Sequence, residues 1–431
     1  MSRKRKPRRE QGHPARISAR REREGSHRRS RSPVVKICRT AESLNDAFEA
    51  ELYVSELLGL LWQGLADENL IEPGDILEPE ATEAFVTECA AVGGRGALVI
   101  LRGFAALADP GPAGLAGRLA GELEGSVNAP EWAGSIGTAR PERAAVITEQ
   151  PFEDGRTWLV ESARSDGTRD TIGIYIDNNL GCSADEILLS PPIDVARKLI
   201  DKNAEPGFET DFEEVDLALA AARLRAAMDL AEDTVDLHTE EDEEFAALRA
   251  LAYSRLDALP AADPDDGRPK VQSSEREALL AEFLASPETE TLTGMEDASM
   301  LAQAAIDFAS DYADGRPLRW SPMLVEIFTG AWLPTKVVAD EEFFDAVPVS
   351  LEAWVRFTAR KRNLATEDTA QLLDAVESST SDLLAQEDES PGERSVGAEL
   401  VEAMREAGVD PTDQKALETF IAGWNARSTL D

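Results

Sequence analysis

The spacing of hydrophobic residues divides this chain into a helical first part, a short β-rich middle and a helical last part. From Ala41 to about Gly125, alanine and leucine recur at the three- and four-residue spacing of amphipathic helices, with glycine and proline breaks between the runs. After Ser274 the same spacing predicts further helices, near 274–285, 296–313, 321–331, 341–361, 366–386, 394–407 and 412–427. The pattern predicts a mainly α protein with a C-terminal helical bundle.

The middle segment has the composition of β-strands. Two runs rich in Trp, Val, Ile and Tyr, at 157–162 and 171–177, flank a segment whose Asp-Gly pair is typical of a tight turn, so they predict a β-hairpin. Further short strands are predicted at 186–189 and 208–215, with helices at about 193–201 and 216–230. We expect a small α+β unit here.

Changes in composition predict where the domains begin and end. Acidic residues follow Leu230, and a Pro- and Asp-rich stretch follows Leu259, as is typical of linkers. The predicted segments are a disordered basic arm at 1–33, a helical domain at 34–150, a small α+β unit with the hairpin at 151–230, a helix flanked by acidic and Pro/Asp-rich linkers at 231–273, and an all-helical bundle at 274–431.

Charge separates the first segment from everything after it. Residues 1–32 carry thirteen Lys and Arg and three Glu, a net charge of +10. Subtracting +10 from the whole-chain charge of −39 leaves −49 for residues 33–431. The arm also lacks apolar periodicity, so we expect it to be disordered when free.

The composition of the arm favours nucleic acid as its partner. Clustered Arg and Lys without interleaved aromatic residues suit phosphate backbones, as in RNA, the ribosome or DNA, and do not read base sequence. Two alternatives are that the arm folds back on the acidic body or only increases solubility. An anionic membrane surface is less favoured because the arm has no Trp, Phe or Leu anchor. The predicted contact residues are Arg3, Lys4, Arg5, Lys6, Arg8, Arg9, Arg20, Arg21, Arg28, Arg29 and Arg31.

The compartment is expected to be the cytoplasm. No apolar run reaches the roughly 18 residues of a membrane helix, and no apolar signal segment follows the arginine pairs of the arm. We therefore expect no membrane partner. Cys38, Cys89 and Cys182 are odd in number and widely spaced, which is typical of reduced thiols. His238 is the only histidine outside the arm, in an acidic stretch typical of a solvated loop.

One segment of the middle domain has residues that bind hard cations. The strand ending at Asp177 is followed by Asn179, Asp185 and Glu186, whose oxygens could coordinate Mg²⁺ or Ca²⁺. The spacing is not that of an EF-hand. An ordinary turn is the favoured interpretation, because Asp, Asn and Gly are turn formers. Apart from this possible Mg²⁺ or Ca²⁺, no cofactor is expected.

Aromatic residues of the last third have a different interpretation. They lie near Arg356, Arg360, Lys361 and Arg362, so they could grip a peptide or a nucleic acid. Their helical spacing, however, predicts the buried faces of packed helices. We expect them to form the core of the bundle; they are Trp332, Phe343, Phe344, Trp354 and Phe357.

No motif specifies a reaction. Adjacent acids such as Glu213-Glu214 and Glu341-Glu342 arise by chance in a chain with 83 Asp and Glu. The chain has no GxxxxGK[ST], no GxGxxG after a strand, no HExxH and no GxSxG. We therefore favour a non-enzymatic protein.

Three stretches carry a resemblance: WSPMLVEIFTGAWLPTKVVADEEFFDAVPVSLEAWVRFTARKR, GVDPTDQKALETFIAGWNAR and IGIYIDNNLG. Through them, residues 34–430 resemble a family of proteins from high-GC actinobacteria. The C-terminal helical module also resembles that of some relatives of the plasmid pRiA4b ORF-3-like proteins, although their β-rich domain is not evident here. The resemblance implies an intracellular protein and carries no catalytic residue onto this chain.

The leading functional hypothesis is a binding or adaptor protein. Its arm would contact nucleic acid without sequence specificity, while the acidic helical body recruits or excludes another protein. The alternative is a metal-assisted hydrolase or nuclease centred on Asp177, Asn179, Asp185 and Glu186. A third possibility is that the arm acts as an internal counterion that reduces the self-repulsion of the body.

Overall fold

A computed structural model describes residues 33–67, 79–203, 209–232, 240–263, 267–290, 292, 295–337, 339 and 341–389. The basic arm, His238 and the helices predicted near 394–407 and 412–427 lie outside these residues.

The first domain consists of five helices. They are α1 (Pro33–Ala41), α2 (Ala47–Asp67), α3 (Pro79–Val92), α4 (Gly94–Leu107) and α5 (Pro110–Glu124), and a 3₁₀ turn (Glu131–Ser135) follows. Helix α4 is buried along most of its length because its central residues, 96–101, are apolar or glycine. Its Phe104 lies 5.3 Å from Phe85 of α3, centroid to centroid. The predicted helical character of this segment is confirmed.

A five-stranded antiparallel sheet forms the middle of the protein. Its strands are β1 (Arg140–Gln150), β2 (Gly155–Ala163), β3 (Arg169–Asp177), β4 (Ser183–Ser190) and β5 (Glu209–Val215), in the order β4-β3-β2-β1-β5. The predicted hairpin is β2–β3, in which Val160 lies opposite Ile172. Strand β1 was not predicted, and it starts the sheet eleven residues before residue 151. Its apolar residues 144–147 are consecutive rather than alternating, because Ala144 and Val146 pack into the core on one face of the sheet and Ala145 packs into a smaller cluster on the other.

Helices cover the two faces of the sheet unequally. On one face, α7 (Leu217–Glu232) and α8 (Glu240–Asp257) cover a core that includes Trp158, Ile172 and Ile174. On the other face, α6 (Ile193–Asn203) packs Ile193 and Ala196 against a smaller cluster around Ala145 and Leu159. The second face is therefore covered only in part.

The last described part is a helical bundle. It comprises α9 (Ser273–Leu284), a 3₁₀ turn (Pro287–Thr289), α10 (Met295–Asp311), α11 (Pro322–Ile327), a π-helical turn (Phe328–Trp332), α12 (Leu333–Lys336), α13 (Glu341–Arg362) and α14 (Thr366–Glu389). Ser321 caps α11 as its sequence predicts, because its hydroxyl accepts a 3.0 Å hydrogen bond from Leu324 N.

The predicted aromatic core of the bundle is confirmed. Phe343, Phe344, Trp354 and Phe357 are buried. Trp332 is half-buried and stacks on Phe328, with 5.6 Å between ring centroids. The predicted fold class, mainly helical with a small α+β middle and a helical bundle after it, is therefore confirmed for the described residues. No helix in the described ranges has the length and apolar character to cross a bilayer.

Candidate functional site

The turn between β3 and β4 places the predicted metal-binding residues at one end of the sheet. Asp177 ends β3, and its Oδ1 accepts a 2.6 Å hydrogen bond from the backbone N–H of Asn179. This is the Asx turn that favoured the ordinary-turn interpretation. Cys182 adopts a φ of 66°, which completes the reversal into β4.

The carboxylates of this turn lie at the same end of the sheet as those of Glu149 and Asp154. Glu186 lies opposite Tyr175 in the ladder, and Asp185 occupies an irregularity beside it. The pKa of Asp177 is raised, chiefly by burial and then by the negative charges of Asp185 and Asp154. Burial and the charge of Asp154 likewise raise the pKa of Glu149. The cluster is therefore one of mutually repelling acids.

The amide of Asn179 is bound to an arginine of the bundle. Asn179 Oδ1 accepts a 3.0 Å hydrogen bond from Nη1 of Arg319, and Asn178 O accepts one of 2.9 Å from Nη2. Arg319 is almost completely buried, and its Nε donates to Asp314 over 2.9 Å. The side-chain oxygen of Asn179 is therefore bound by a guanidinium, and one carboxylate oxygen of Asp177 is bound by a backbone N–H. Within the described ranges, no three side chains of His, Cys, Asp or Glu form a group that could hold a metal ion.

A second arginine cluster lies on the neighbouring turn, between β1 and β2. Glu153 receives Arg362 at 2.9 Å, Arg156 at 3.0 Å and Arg316. Burial acts to raise the pKa of Glu153, but Arg316 and Arg156 hold it below its ordinary value. Since Arg316 and Arg362 belong to the bundle, this carboxylate ties the sheet to the bundle.

A fully buried group of ion pairs among the described residues was not predicted. Glu51 Oε2 of α2 accepts hydrogen bonds of 2.6 Å from both Arg164 and Arg255, and its Oε1 accepts one of 2.8 Å from Gly137 N. Asp170 of β3 completes a group of two acids and two arginines. All four side chains are at most 2% exposed.

This buried group links the helical domain to the sheet. Burial alone would raise the pKa of Glu51, but Arg255 and Arg164 lower it below its ordinary value. The acid is therefore ionised in the folded protein, and its charge is neutralised by residues from β2–β3 and α8. The sequence signal for it is weak, because Glu51 occupies what reads as a polar position of an amphipathic helix.

The predicted nucleic-acid contacts and the three cysteines lie apart from these charged groups. The predicted nucleic-acid contacts, from Arg3 to Arg31, lie outside the described residues. The three cysteines are free thiols, with Cys38 and Cys89 buried and Cys182 half-buried.

In comparisons with known proteins, no family model matches the chain, and neither a curated protein nor a solved structure matches it. The resemblance to actinobacterial proteins therefore stays a prediction.

Proposed function

We propose that the protein is a non-enzymatic cytoplasmic binding or adaptor protein whose basic arm contacts nucleic acid without sequence specificity. The observation that carries this proposal is the separation of charge along the chain, +10 in residues 1–32 against −49 in the rest. Clustered Arg and Lys bind a phosphate backbone by releasing its counterions, and RNA, the ribosome and DNA all present such a backbone.

The ion pairs of the body support the arm as the phosphate-binding part. Arginines throughout the helical domain, the sheet and the bundle are engaged by neighbouring carboxylates, so their charge is neutralised within the fold. A phosphate backbone would also be repelled by the acidic body. The paired arginines include Arg102, Arg143, Arg156, Arg164, Arg169, Arg249, Arg255, Arg276, Arg316, Arg319, Arg356, Arg360 and Arg362.

An electrophoretic shift with RNA and DNA of unrelated sequences tests the proposal. The full chain should bind both at about 50 mM salt, and its affinity should fall by about 10³-fold or more at about 200 mM if six or more phosphates are contacted. Replacing the first six cations, from Arg3 to Arg9, by Gln should weaken binding to all sequences alike.

The control removes two positive charges from the body instead. Arg356→Gln and Arg360→Gln change exposed, acid-paired residues of α13 and should leave the affinity unchanged. Equal binding by the arm variant and the unaltered chain would show that the arm does not bind nucleic acid.

A metal-assisted hydrolase or nuclease at Asp177, Asn179, Asp185 and Glu186 is the competing hypothesis. It is less well supported, because the carboxamide of Asn179 is engaged by the guanidinium of Arg319. Titration with Mg²⁺ or Ca²⁺, followed by calorimetry of the full chain and its Asp177→Ala variant, separates the two. Metal binding lost on that substitution would favour the hydrolase.

A further inference from the structure

The open part of the second sheet face has a distinct composition. One row of neighbouring residues crosses all five strands, with Phe212, Ile147, Thr157, Tyr175 and Glu186 in successive register positions. Of these, Ile147, Thr157 and Tyr175 are half-buried and Glu186 is exposed. Glu149 and Asp177 lie two residues further along β1 and β3, on the same face. We call Ile147, Thr157, Tyr175, Glu149, Asp177 and Glu186 the acidic sheet face.

Within the described ranges, no arginine or lysine is paired with the carboxylates of this face. Glu149 and Asp177 are the only carboxyl groups there whose pKa is clearly raised, in both cases by burial first and by neighbouring acids next. Other shifted carboxyls, such as Asp194 and Glu288, have a pKa lowered by an arginine. In the described ranges, Glu149, Asp177 and Glu186 make no salt bridge. The nearest aromatic surface is Tyr175, whose hydroxyl donates to Glu149 at 3.4 Å.

Such a face fits a cationic, extended segment. Carboxylates pair with guanidinium and ammonium groups, and the ring of Tyr175 offers a surface for a guanidinium. Beside this face, a guanidinium already packs on an aromatic ring: that of Arg197 of α6 lies 5.5 Å over the ring of Phe212.

We propose that the acidic sheet face is the docking site of the chain's own basic arm, residues 1–32. The complementary charge argues for this occupant, since the arm carries +10. The C-terminal segment 390–431 is a poorer fit, because its eight acids and four basic residues give it −4.

The arm is also long enough. Thirty-two residues span up to about 100 Å when extended, whereas a body of about 400 residues is about 55 Å across. The arm can therefore reach the sheet face from Pro33 by any path around the body. The positive charge of a docked arm is neutralised, so nucleic acid would have to displace the arm from the sheet face before binding it. Only this competition with nucleic acid rests on the proposed function.

Carbodiimide cross-linking of the full chain tests the docking without nucleic acid. The reagent joins amines to carboxylates in contact, so Lys4 and Lys6 should become linked to Glu149, Asp177, Asp185 or Glu186 within one chain. Mass spectrometry identifies the linked peptides. High salt should remove these links because surface ion pairs are screened.

The variant Glu149→Gln, Asp185→Asn, Glu186→Gln removes two exposed carboxylates of the face and that of the adjacent Asp185, and it leaves Asp177 in its turn. The three amides can no longer be linked, so the readout is the links of Lys4 and Lys6 to the remaining carboxylate, Asp177. These should fall about tenfold, as expected for the loss of three surface ion pairs. The control variant Glu88→Gln, Glu122→Gln, Glu131→Gln removes the same charge from exposed sites of the helical domain and should leave the links unchanged.

Several outcomes would overturn the docking. Links from Lys4 and Lys6 scattered over the body, and equally reduced in both variants, would show a non-specific attraction. Links of the face to Lys415 would make the C-terminal segment its occupant, and links between two chains would make a second copy of the chain its occupant.

The docking and the proposed function can fail separately. A chain that fails to bind nucleic acid but gives the expected links would refute only the proposed function. If the arm both docks on the face and binds nucleic acid, the face variant should bind RNA more tightly than the control variant does, because its arm is released.

Discussion

Glu51 and Arg255 are 204 residues apart in the chain, yet their side chains form a buried ion pair with 2.6 Å between Oε2 and Nη2. The pair joins α2 of the helical domain to α8, which also covers the sheet. Arg164 shares the same carboxylate oxygen and lies 5.2 Å over the ring of Phe48. The boundary between helical domain and sheet is thus a buried, charge-balanced contact.

Removing this charge should be strongly destabilising. Glu51→Gln leaves Arg164 and Arg255 with only Asp170 to balance them, and breaking a buried pair costs about 3–5 kcal/mol. Urea unfolding followed by circular dichroism measures the loss. Glu352→Gln is the control, because its exposed partner Arg356 lies one turn away and such pairs contribute about 0.5 kcal/mol or less. Similar effects from both substitutions would show that burial of the Glu51 group contributes nothing.

The raised pKa of Glu149 predicts how its replacement depends on pH. Because the folded pKa lies above the unfolded value, the folded state binds the proton more tightly, and the charged form lowers stability at neutral pH. Glu149→Gln should therefore stabilise the protein at pH 7, by about 0.5 kcal/mol or less for so exposed a group.

This gain should disappear as the pH falls through the raised folded pKa toward the unfolded value of about 4.3. Denaturant titrations of both proteins at several pH values measure it. A gain that is the same at pH 4 and pH 7 would mean that packing, not charge, is responsible.

Two glycines in neighbouring helices should respond oppositely to alanine. A Cβ at Gly96 of α4 would lie 1.8 Å from the backbone carbonyl oxygen of Cys38 in α1, so Gly96→Ala should force the helices apart and cost about 2 kcal/mol or more. Around Gly121 of α5 there is open space, so Gly121→Ala should stabilise by about 0.5–1 kcal/mol through helix propensity alone. Thermal denaturation compares them, and a stabilising Gly96→Ala would contradict the close crossing of α1 and α4.

The contact between Asn179 and Arg319 predicts energetic coupling between the sheet and the bundle. Asn179→Ala leaves a buried guanidinium donor without its 3.0 Å acceptor and should cost about 1–3 kcal/mol. In a double-mutant cycle with Arg319→Met, the second substitution should cost less once the first is present. Strictly additive effects would show that the two side chains act independently. Ser183→Ala, at the half-buried start of β4, is a control for the turn.

Local patterns in the sequence determined much of the fold. The helical spacing located α9, α10, α11, α13 and α14 to within a few residues, because a helix packed on a core must repeat apolar residues at its own period. The short α12 lies beyond the predicted end at 331. The Asp-Gly turn and the β-branched runs located the β2–β3 hairpin for the same reason. Ser321 was recognisable as a cap, since capping needs only the residues next to it. The separation of charge between arm and body is likewise a property of the sequence alone.

The tertiary structure alone decided which charged residues are buried and what they contact. In the sequence, Glu51 and Arg255 have the pattern of surface positions on helices, and Arg319 that of a loop residue. Local periodicity predicts which side of a helix is apolar, but it does not predict which acid pairs with a buried arginine. That choice depends on how distant segments approach one another. Strand β1 was missed for a related reason. Its apolar pattern reflects packing against α7 on one face and α6 on the other, and both helices come later in the chain.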